Sequence, residues 1–190
     1  MTEPGCPSAP ATTQPCTARG EKRRQALLAA AGQLFMEQGF DGVSLDDLVA
    51  RVGGSKASIY RFFGNKQGLL IALIEYRCEH YFDLLQVPTT LGEQHIETVL
   101  QVLVERLYEI FAQPDHVALT RLIMQESQRD PELAERVYQA GFGRGIRMTA
   151  RLLADAHAQG QIICPRPLES AIFFSGILKH PQWRQLHGLP

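Results

Sequence analysis

The chain has 190 residues and a formal net charge of −1, so its overall charge does not indicate a nucleic-acid-binding protein. Hydrophobic residues make up 45% and charged residues 21%, a balance typical of soluble globular proteins. No run of 18 apolar residues occurs, and the N-terminal segment lacks the apolar core of a secretory signal. We therefore expect a cytoplasmic protein that does not enter a membrane.

Residues 1–19 are rich in Pro, Ser, Thr and Gly, and we expect them to form a disordered tail. The four cysteines of the chain lack the paired close spacing of a zinc site, and the six histidines never recur at i, i+4. The glycine-rich residues 141–145 follow a predicted helix rather than a strand, unlike a nucleotide-binding loop. No serine lies in a nucleophile elbow, and no carboxylate pair stands out. The sequence thus predicts no metal site, no cofactor and no enzymatic activity.

The first predicted helix runs from about residue 21 to residue 38. Its apolar residues follow the spacing of one buried helix face, and Gly39 is expected to end it. Phe40 and Val43 then cover the open end of a small three-helix core. This helix is expected to support the two short helices that follow.

Residues 44–63, SLDDLVARVGGSKASIYRFF, have the pattern of a helix-turn-helix motif. The first helix begins at the N-cap Ser44 and ends at Gly53 and Gly54, which tolerate a left-handed backbone. We expect Ser55 to cap the second helix, which has Ile59, Phe62 and Phe63 on its inner face. In such a motif the second helix enters the major groove of DNA. A further helix is predicted from residue 66 to residue 85.

From about residue 21 to residue 81 the sequence resembles the DNA-binding domain of the TetR family of bacterial repressors. The residues that carry the resemblance are Phe35, Gly39, Ser44, Leu48, Gly53, Ser55, Lys56, Ser58, Ile59, Tyr60, Phe62, Phe63, Lys66, Leu69 and Leu70. One departure is Gly54, where the family usually has Val. We expect this glycine to loosen the turn. The resemblance implies an all-α protein whose residues 20–81 form a three-helix DNA-binding head.

The residues predicted to contact double-stranded DNA lie at the start of each helix of the motif and along its second helix. They are Ser44, Ser55, Lys56, Ala57, Ser58, Tyr60, Arg61 and Lys66. Lys56 and Lys66 are expected at phosphates, and the resemblance gives the same role to Tyr60. The alternatives are solvated lysines and a core tyrosine. Ser55, Ala57, Ser58 and Arg61 are the expected base readers, since Arg binds guanine and Ala contacts the thymine methyl group.

The charge of the head supports this interpretation. From Arg19 to Lys66 there are eight basic and five acidic residues, a net charge of +3, which leaves −4 for the rest of the chain. A basic head on an acidic body attracts phosphates at one end only. Four of the basic residues lie at the start of the first helix, where contact with DNA and simple solvation are equally open: Arg19, Lys22, Arg23 and Arg24.

Residues 82–190 are predicted to form a helical regulatory and dimerisation domain. Helices are expected at about 93–112, 116–129 with Asp115 as cap, 131–159 with a bend at 141–145, and 168–179. The stretch RLIMQESQRDPELAERVYQAGFGRG, followed by GQI and LESAIFFSGIL, resembles the C-terminal domain of the AefR-type subgroup.

The family resemblance implies that this body binds a small-molecule effector of unknown identity. The apolar side chains expected to line its pocket are Leu103, Leu107, Phe111, Leu122, Ile123, Tyr138 and Phe142. Ordinary core packing is the alternative for each of them.

The resemblance also implies a homodimer, which family members usually form through their last two helices. The sequence indicates only one such helix, so we expect the domain to lack its last helix. Phe173, Phe174, Ile177 and Trp183 are the candidate interface residues.

We therefore predict a sequence-specific repressor that binds a palindromic operator and is released by its effector. Two alternatives are a helical interaction module with a vestigial head and a helical enzyme with an apolar pocket.

Overall fold

The computed structural model describes residues 18–178, 184 and 186–188. Over these residues the regular structure is entirely α-helical, so the prediction of an all-α fold is confirmed. The predicted tail at residues 1–19, except for its last two residues, and Trp183 lie outside the described residues. The helices are α1 (Ala18–Gly42), α2 (Leu45–Val52), α3 (Lys56–Phe63), α4 (Lys66–Leu85), α5 (Ile96–Phe111), α6 (Pro114–Ser127), α7 (Pro131–Ala140), α8 (Phe142–Ala158) and α9 (Pro167–Ile177).

Helices α1, α2 and α3 pack around a small apolar core that also takes in the first half of α4. Leu27, Leu48 and Ile59 are fully buried in this core, which confirms the inner faces predicted from the helical spacing. Helical backbone angles in α1 are interrupted at Gly39, whose φ of 75° and ψ of 168° lie outside the helical region. Glycine adopts this conformation without a Cβ clash, as expected for the end of the first regular helix.

The core of the head continues into the body without a break. Leu119 and Leu122 of α6 and Leu133 of α7 are buried in the same cluster as the head residues. Helix α4 passes through both parts, because it contacts α1 and α3 at one end and α5 and α7 along its length. Helices α6 and α7 are therefore packed directly against the head.

Two expectations for the helices of the body need correction. Helix α6 begins two residues earlier than predicted, with Gln113 at the N-cap and Pro114 in the first turn, so Asp115 is not the cap. The helix predicted at residues 131–159 is two helices, because Gly141 has φ −104° and ψ −95°. The expected bend at 141–145 is thus a full interruption.

Helices α8 and α9 form a closely packed pair. They enclose a second apolar cluster in which Leu152, Ala156 and Ala171 are fully buried. Helix α8 is the second half of the helix predicted at 131–159, and α9 corresponds to the helix predicted at 168–179. That the domain lacks its last helix stays a prediction. In the described part of the chain, no helix combines the length and apolar character that a membrane crossing requires.

Candidate DNA-binding interface

The first helix of the motif begins with a complete capping box. The Asp47 N–H donates to the Ser44 Oγ at 3.2 Å, and the Ser44 N–H donates to the Asp47 carboxylate at 2.8 Å. The Ser44 hydroxyl also donates to this carboxylate at 2.7 Å. These side-chain and backbone hydrogen bonds from Ser44 lower the pKa of Asp47. Asp47 thus performs the role that usually belongs to Glu or Gln, and the start of α2 is fixed.

The turn between α2 and α3 consists of two glycines with positive φ. Gly53 has φ 76° and Gly54 has φ 88°, values that other residues rarely adopt. The Arg23 guanidinium of α1 donates to the Val52 carbonyl oxygen at 2.8 Å and to the Gly53 carbonyl oxygen. The expectation that Gly54 loosens the turn stays a prediction, and the structure adds a side chain from α1 that contacts the turn.

Helix α3 presents a clear outer face to solvent. Ile59 is fully buried beneath it, and Phe62 and Phe63 are half-buried against the core. Four of the predicted DNA-contacting residues are exposed on the opposite side, namely Lys56, Ala57, Tyr60 and Arg61. Ser58 is half-buried. The face that sequence periodicity assigned to DNA is thus the face that a major groove can reach.

Ser55 occupies the N-cap position of α3, but its side chain makes no capping hydrogen bond. The expectation that its hydroxyl caps the helix is wrong. The Ser58 N–H donates instead to the Ser55 backbone carbonyl at 3.1 Å. The first turn of α3 therefore depends on backbone bonds and on the preceding turn.

The three predicted cationic contacts have intramolecular partners. Lys56 Nζ lies 2.8 Å from an Asp46 carboxylate oxygen, and this hydrogen bond raises the pKa of Lys56. The Arg61 guanidinium lies 4.7 Å from the centre of the Phe62 ring, and Lys66 Nζ lies 4.4 Å from the centre of the Phe40 ring. Such exposed ion pairs and ring contacts are weak, so these side chains can leave them to bind another partner.

Among the described residues, several polar contacts join the head to the body. Arg129 pairs with Asp41 at 2.8 Å, and the Gln67 side chain donates to Asp130 at 2.6 Å. Two glutamates of α4 are held at 2.6 Å by arginines of α7 and α8, in the pairs Glu75–Arg136 and Glu79–Arg144. The ion pairs are exposed and individually weak. All of these contacts except Arg129–Asp41 involve α4, so α4 is the main element that joins head and body.

The structure does not bring the seven predicted pocket residues together. Leu103, Leu107 and Phe111 lie in a cluster between α4, α5 and α9, whereas Leu122 and Ile123 belong to the core shared with the head. Phe142 packs in the α8–α9 cluster, and Tyr138 is largely exposed. The reason is geometric, since α5, α6 and α7 turn their apolar faces to different neighbours. Two groups of these residues thus lie within the body: the first set, and the pair Tyr138 and Phe142, whose ring centres lie 6.0 Å apart.

The larger of two described clefts lies elsewhere, between α1, α4 and the end of α7. It has a volume of about 460 Å³ and is lined by Arg24, Glu75, Tyr76, Glu79 and Ala140. The smaller, of about 80 Å³, lies beside the loop that follows α4. None of the seven predicted pocket residues lines either cleft.

A polar and aromatic group borders the cluster that contains Leu103. The His116 ring lies 5.2 Å from the Phe111 ring and 5.1 Å from the Tyr81 ring, measured between centres. Burial lowers the pKa of His116 to about 4 and raises that of Tyr81. The Tyr81 hydroxyl is buried and makes no hydrogen bond within the described residues. Neither residue has a signal in the sequence, because only the folded chain brings Tyr81 of α4 and His116 of α6 together.

The three described interface candidates on α9 divide between two faces. Phe173 is 75% exposed and Ile177 is 74% exposed, whereas Phe174 is half-buried and packs against the cluster that contains Leu103. Phe174 is therefore a core residue of the protomer. The exposed apolar face of α9 consists of Ile172, Phe173 and Ile177.

Two segments of the chain match known families of proteins. Residues 27–73 match the bacterial regulatory proteins of the TetR family, and residues 98–190 match the C-terminal domain of AefR-like transcriptional repressors. The chain belongs to the TetR family. The first match covers the motif and the start of α4, and the second covers almost the entire body.

Solved structures show the same TetR-family fold over most of the chain. A Mesorhizobium loti protein described as a TetR-family transcriptional regulator has a TM-score of 0.80 and 26% identity, covering 91% of this chain and 87% of that one. The flavonoid-responsive regulator FrrA has a TM-score of 0.77 and 31% identity, covering 90% and 86%. The DNA-binding transcriptional repressor TetR of Mycobacteroides abscessus is 43% identical over 58 residues, 30% of each protein. The first curated relatives are matched over less than half of their own length, 27% to 43%.

Among TetR-family features, the turn of the motif is where this chain departs. The glycine at position 54 stands where the resemblance led us to expect Val, and Arg23 fills the space beside it. In the sequence, Arg23 is only one of four basic residues at the start of α1. The signal for its role is the absence of a side chain at position 54, and no local pattern connects that position to a residue 31 positions away.

Proposed function

We propose that this TetR-family protein is a sequence-specific transcriptional repressor that binds a palindromic operator as a homodimer and is released by a small molecule. The observation that carries the proposal is the outer face of α3. Lys56, Ala57, Tyr60 and Arg61 are exposed on a short helix whose inner residue Ile59 is fully buried. This combination of an anchored inner face and a polar outer face is what major-groove recognition requires. A DNA-binding role also places the protein in the bacterial cytoplasm.

The proposed contacts fall into two groups. Lys56, Tyr60 and Lys66 bind phosphates, together with Ser44 at the start of α2. Ser55, Ala57, Ser58 and Arg61 read bases, with Arg61 suited to the two acceptors of a guanine. Lys56 exchanges Asp46 for a phosphate on binding, and this exchange costs little because the pair is exposed.

Dimerisation is proposed through the exposed apolar face of α9, alongside α8. A palindrome presents two half-sites whose centres lie one helical turn apart, roughly 34–36 Å, or a multiple of that distance. One recognition helix covers only one half-site, so the second must come from another copy. Phe173 and Ile177 supply the apolar area for this contact, and the pair α8–α9 supplies two helices of a four-helix interface.

Release by an effector follows from the continuity between body and head. The cluster between α4, α5 and α9, with Tyr81 and His116 at its border, is the proposed region for a ligand of the body. The ligand is expected to bind better to a conformer in which α4 is displaced. It then reduces the population of the conformer whose two heads fit both half-sites. The similarity to FrrA, a flavonoid-responsive regulator, supports a small-molecule effector.

The test is a selection of genomic fragments on immobilised protein, with the mass of the same sample measured by light scattering. The control is the double variant Lys56→Ala/Tyr60→Ala, which lacks two exposed contacts of α3 and no buried group. We expect the parent alone to enrich a palindrome, with a mass of about twice the 21.2 kDa of one chain. Failure of a dimeric parent to enrich any sequence would refute the proposal and favour a helical interaction module.

A further inference from the structure

The side chain of Arg23 joins the start of α1 to the turn of the helix-turn-helix motif. Its guanidinium donates to the carbonyl oxygens of Val52, at 2.8 Å, and of Gly53. We propose that Arg23 is a positioning residue for DNA binding, which holds the turn closed and so fixes the orientation of α3 relative to α1. The inference rests on the proposed function, because a positioning role has meaning only if α3 binds DNA.

The carbonyl groups that Arg23 binds need a donor. The last carbonyls of an α-helix have no partner within the helix, and α2 is only 8 residues long. The Gly53 N–H donates back to the Val49 carbonyl at 2.7 Å, but the oxygens of Val52 and Gly53 point toward α1. A planar guanidinium has five donors in a fixed fork and can bind both oxygens at once. Its positive charge is also favourable at the C-terminal end of a helix.

Gly54 provides an independent observation for the same arrangement. A Cβ atom built at this position would lie 2.4 Å from Arg23 Nη2 and 3.0 Å from Arg23 Cζ. The φ of 88° at Gly54 also disfavours any other residue. The space that a side chain at position 54 would fill is thus occupied by Arg23 of α1. The Val that the family resemblance led us to expect here is replaced by a side chain from another helix.

Besides the exposed pair of Lys56 with Asp46 and the buried Ile59, the start of α3 has no side-chain cap. The Ser55 hydroxyl makes no capping hydrogen bond, and the first residue of the helix, Lys56, is exposed. The turn that Arg23 binds leads directly into these residues. Because Arg23 faces the turn, this positioning role takes the place of the DNA contact or simple solvation that the sequence left equally open. Loss of the Arg23 bonds is expected to loosen α3 without removing a charge from the DNA surface.

The first test compares Arg23→Lys with Arg23→Gln, and uses Lys22→Gln as a control that removes a charge from the same turn of α1. Operator affinity is measured over a series of salt concentrations. Lysine keeps the charge but not the planar fork, so both Arg23 variants should bind about tenfold more weakly with an unchanged salt slope. If Arg23 binds a phosphate instead, Arg23→Lys should bind like the parent and Arg23→Gln should reduce the slope by about 0.9. That result would overturn the proposal, as would parental affinity in both variants.

A second measurement needs no DNA. Amide hydrogen exchange at residues 58–61, the first amides of α3 that are hydrogen-bonded, should be about tenfold faster in both Arg23 variants and unchanged in Lys22→Gln. Unchanged exchange in the Arg23 variants would overturn the proposal even if the protein binds its operator. The parent could also bind no DNA while exchange still depends on Arg23. In that case the proposed function and the positioning role are both wrong, but the contact between Arg23 and the turn is confirmed. Circular dichroism of each variant shows whether the helices are retained.

A third comparison tests the shared space directly. Gly54→Ala should weaken operator binding more in the parent than in the Arg23→Gln variant. The glutamine side chain is shorter than that of arginine and does not reach the position of the new methyl group. The strain from the positive φ is the same in both backgrounds and cancels in the comparison. Equal fold losses in the two backgrounds would show that Arg23 does not fill the space beside Gly54.

Discussion

At the junction between α3 and α4, the substitution Gly68→Ala tests the packing of the two helices. Whether it raises or lowers the free energy of unfolding shows whether helix propensity or the packing clash prevails. A Cβ atom at Gly68, in the first turn of α4, would lie 1.9 Å from the backbone oxygen of Phe63 and 3.1 Å from its carbonyl carbon. Real Cβ contacts are essentially never shorter than 3.0 Å, so the end of α3 would have to move by more than 1 Å. Because the obstacle is backbone, no side-chain rotation relieves it.

The magnitude follows from two opposing effects of Gly68→Ala. Replacing glycine by alanine in a helix stabilises it by about 0.8–1.0 kcal/mol. Overpacking against a rigid neighbour costs about 1–3 kcal/mol and occasionally more. The clash should prevail, and we expect a net loss of about 1–2 kcal/mol. For a protein of this size that corresponds to a fall in Tm of roughly 2–8 °C.

The assay is urea unfolding followed by circular dichroism, with Gly145→Ala as the matched control. Gly145 lies inside α8, and a Cβ atom there would meet nothing within 4 Å. The control should therefore gain up to about 1 kcal/mol from propensity alone. If Gly68→Ala stabilises the protein as much as the control does, the close approach of α4 to the end of α3 is wrong.

Three further predictions concern the buried histidine, the recognition helix and the α9 face. Burial lowers the pKa of His116 to about 4, below the unfolded value of about 6.5. The free energy of unfolding of the protein should therefore fall as the pH drops from about 6.5 toward 4. In urea unfolding, a His116→Phe variant should lose less of this free energy over the same interval. In operator titrations, Arg61→Ala should relax the preference at one base pair by roughly 1–3 kcal/mol, whereas Lys56→Ala should weaken all sequences alike; a uniform loss with Arg61→Ala would make that residue a positioning contact. Phe173→Asp should reduce the light-scattering mass to that of one chain, while Tyr108→Asp, at a residue of α5 that is 60% exposed, should not; a dimeric Phe173→Asp variant would exclude the α9 face as the interface.

The local part of the fold could be read from the sequence because its signals are local. The start of α4 at Lys66 and its end at Leu85 coincide with the prediction, since Asn65 caps one end and Pro88 follows the other. The inner face of α3 was recognisable because Ile59 lies at the spacing of a buried helix position. Caps, glycine stops and helical periodicity involve residues only a few positions apart.

The errors arise where distant segments meet. The bonds from Arg23 to the turn join residues 29 and 30 positions apart, and no periodicity connects them. The predicted pocket residues are apolar and helical, as expected, but which faces of α5, α6 and α7 point toward each other is decided by packing. Leu122 therefore lies in the core of the head rather than beside Leu103.

The central claim is that the outer face of α3 reads a DNA sequence, and a ratio of affinities tests it most directly. Binding of the selected operator and of a scrambled duplex of the same length would be measured in one buffer of physiological salt. The account predicts that the parent prefers the operator by about a thousandfold or more, as specific DNA-binding proteins do. Equal affinity for the two duplexes would contradict it, because a face that only attracts phosphates cannot tell them apart.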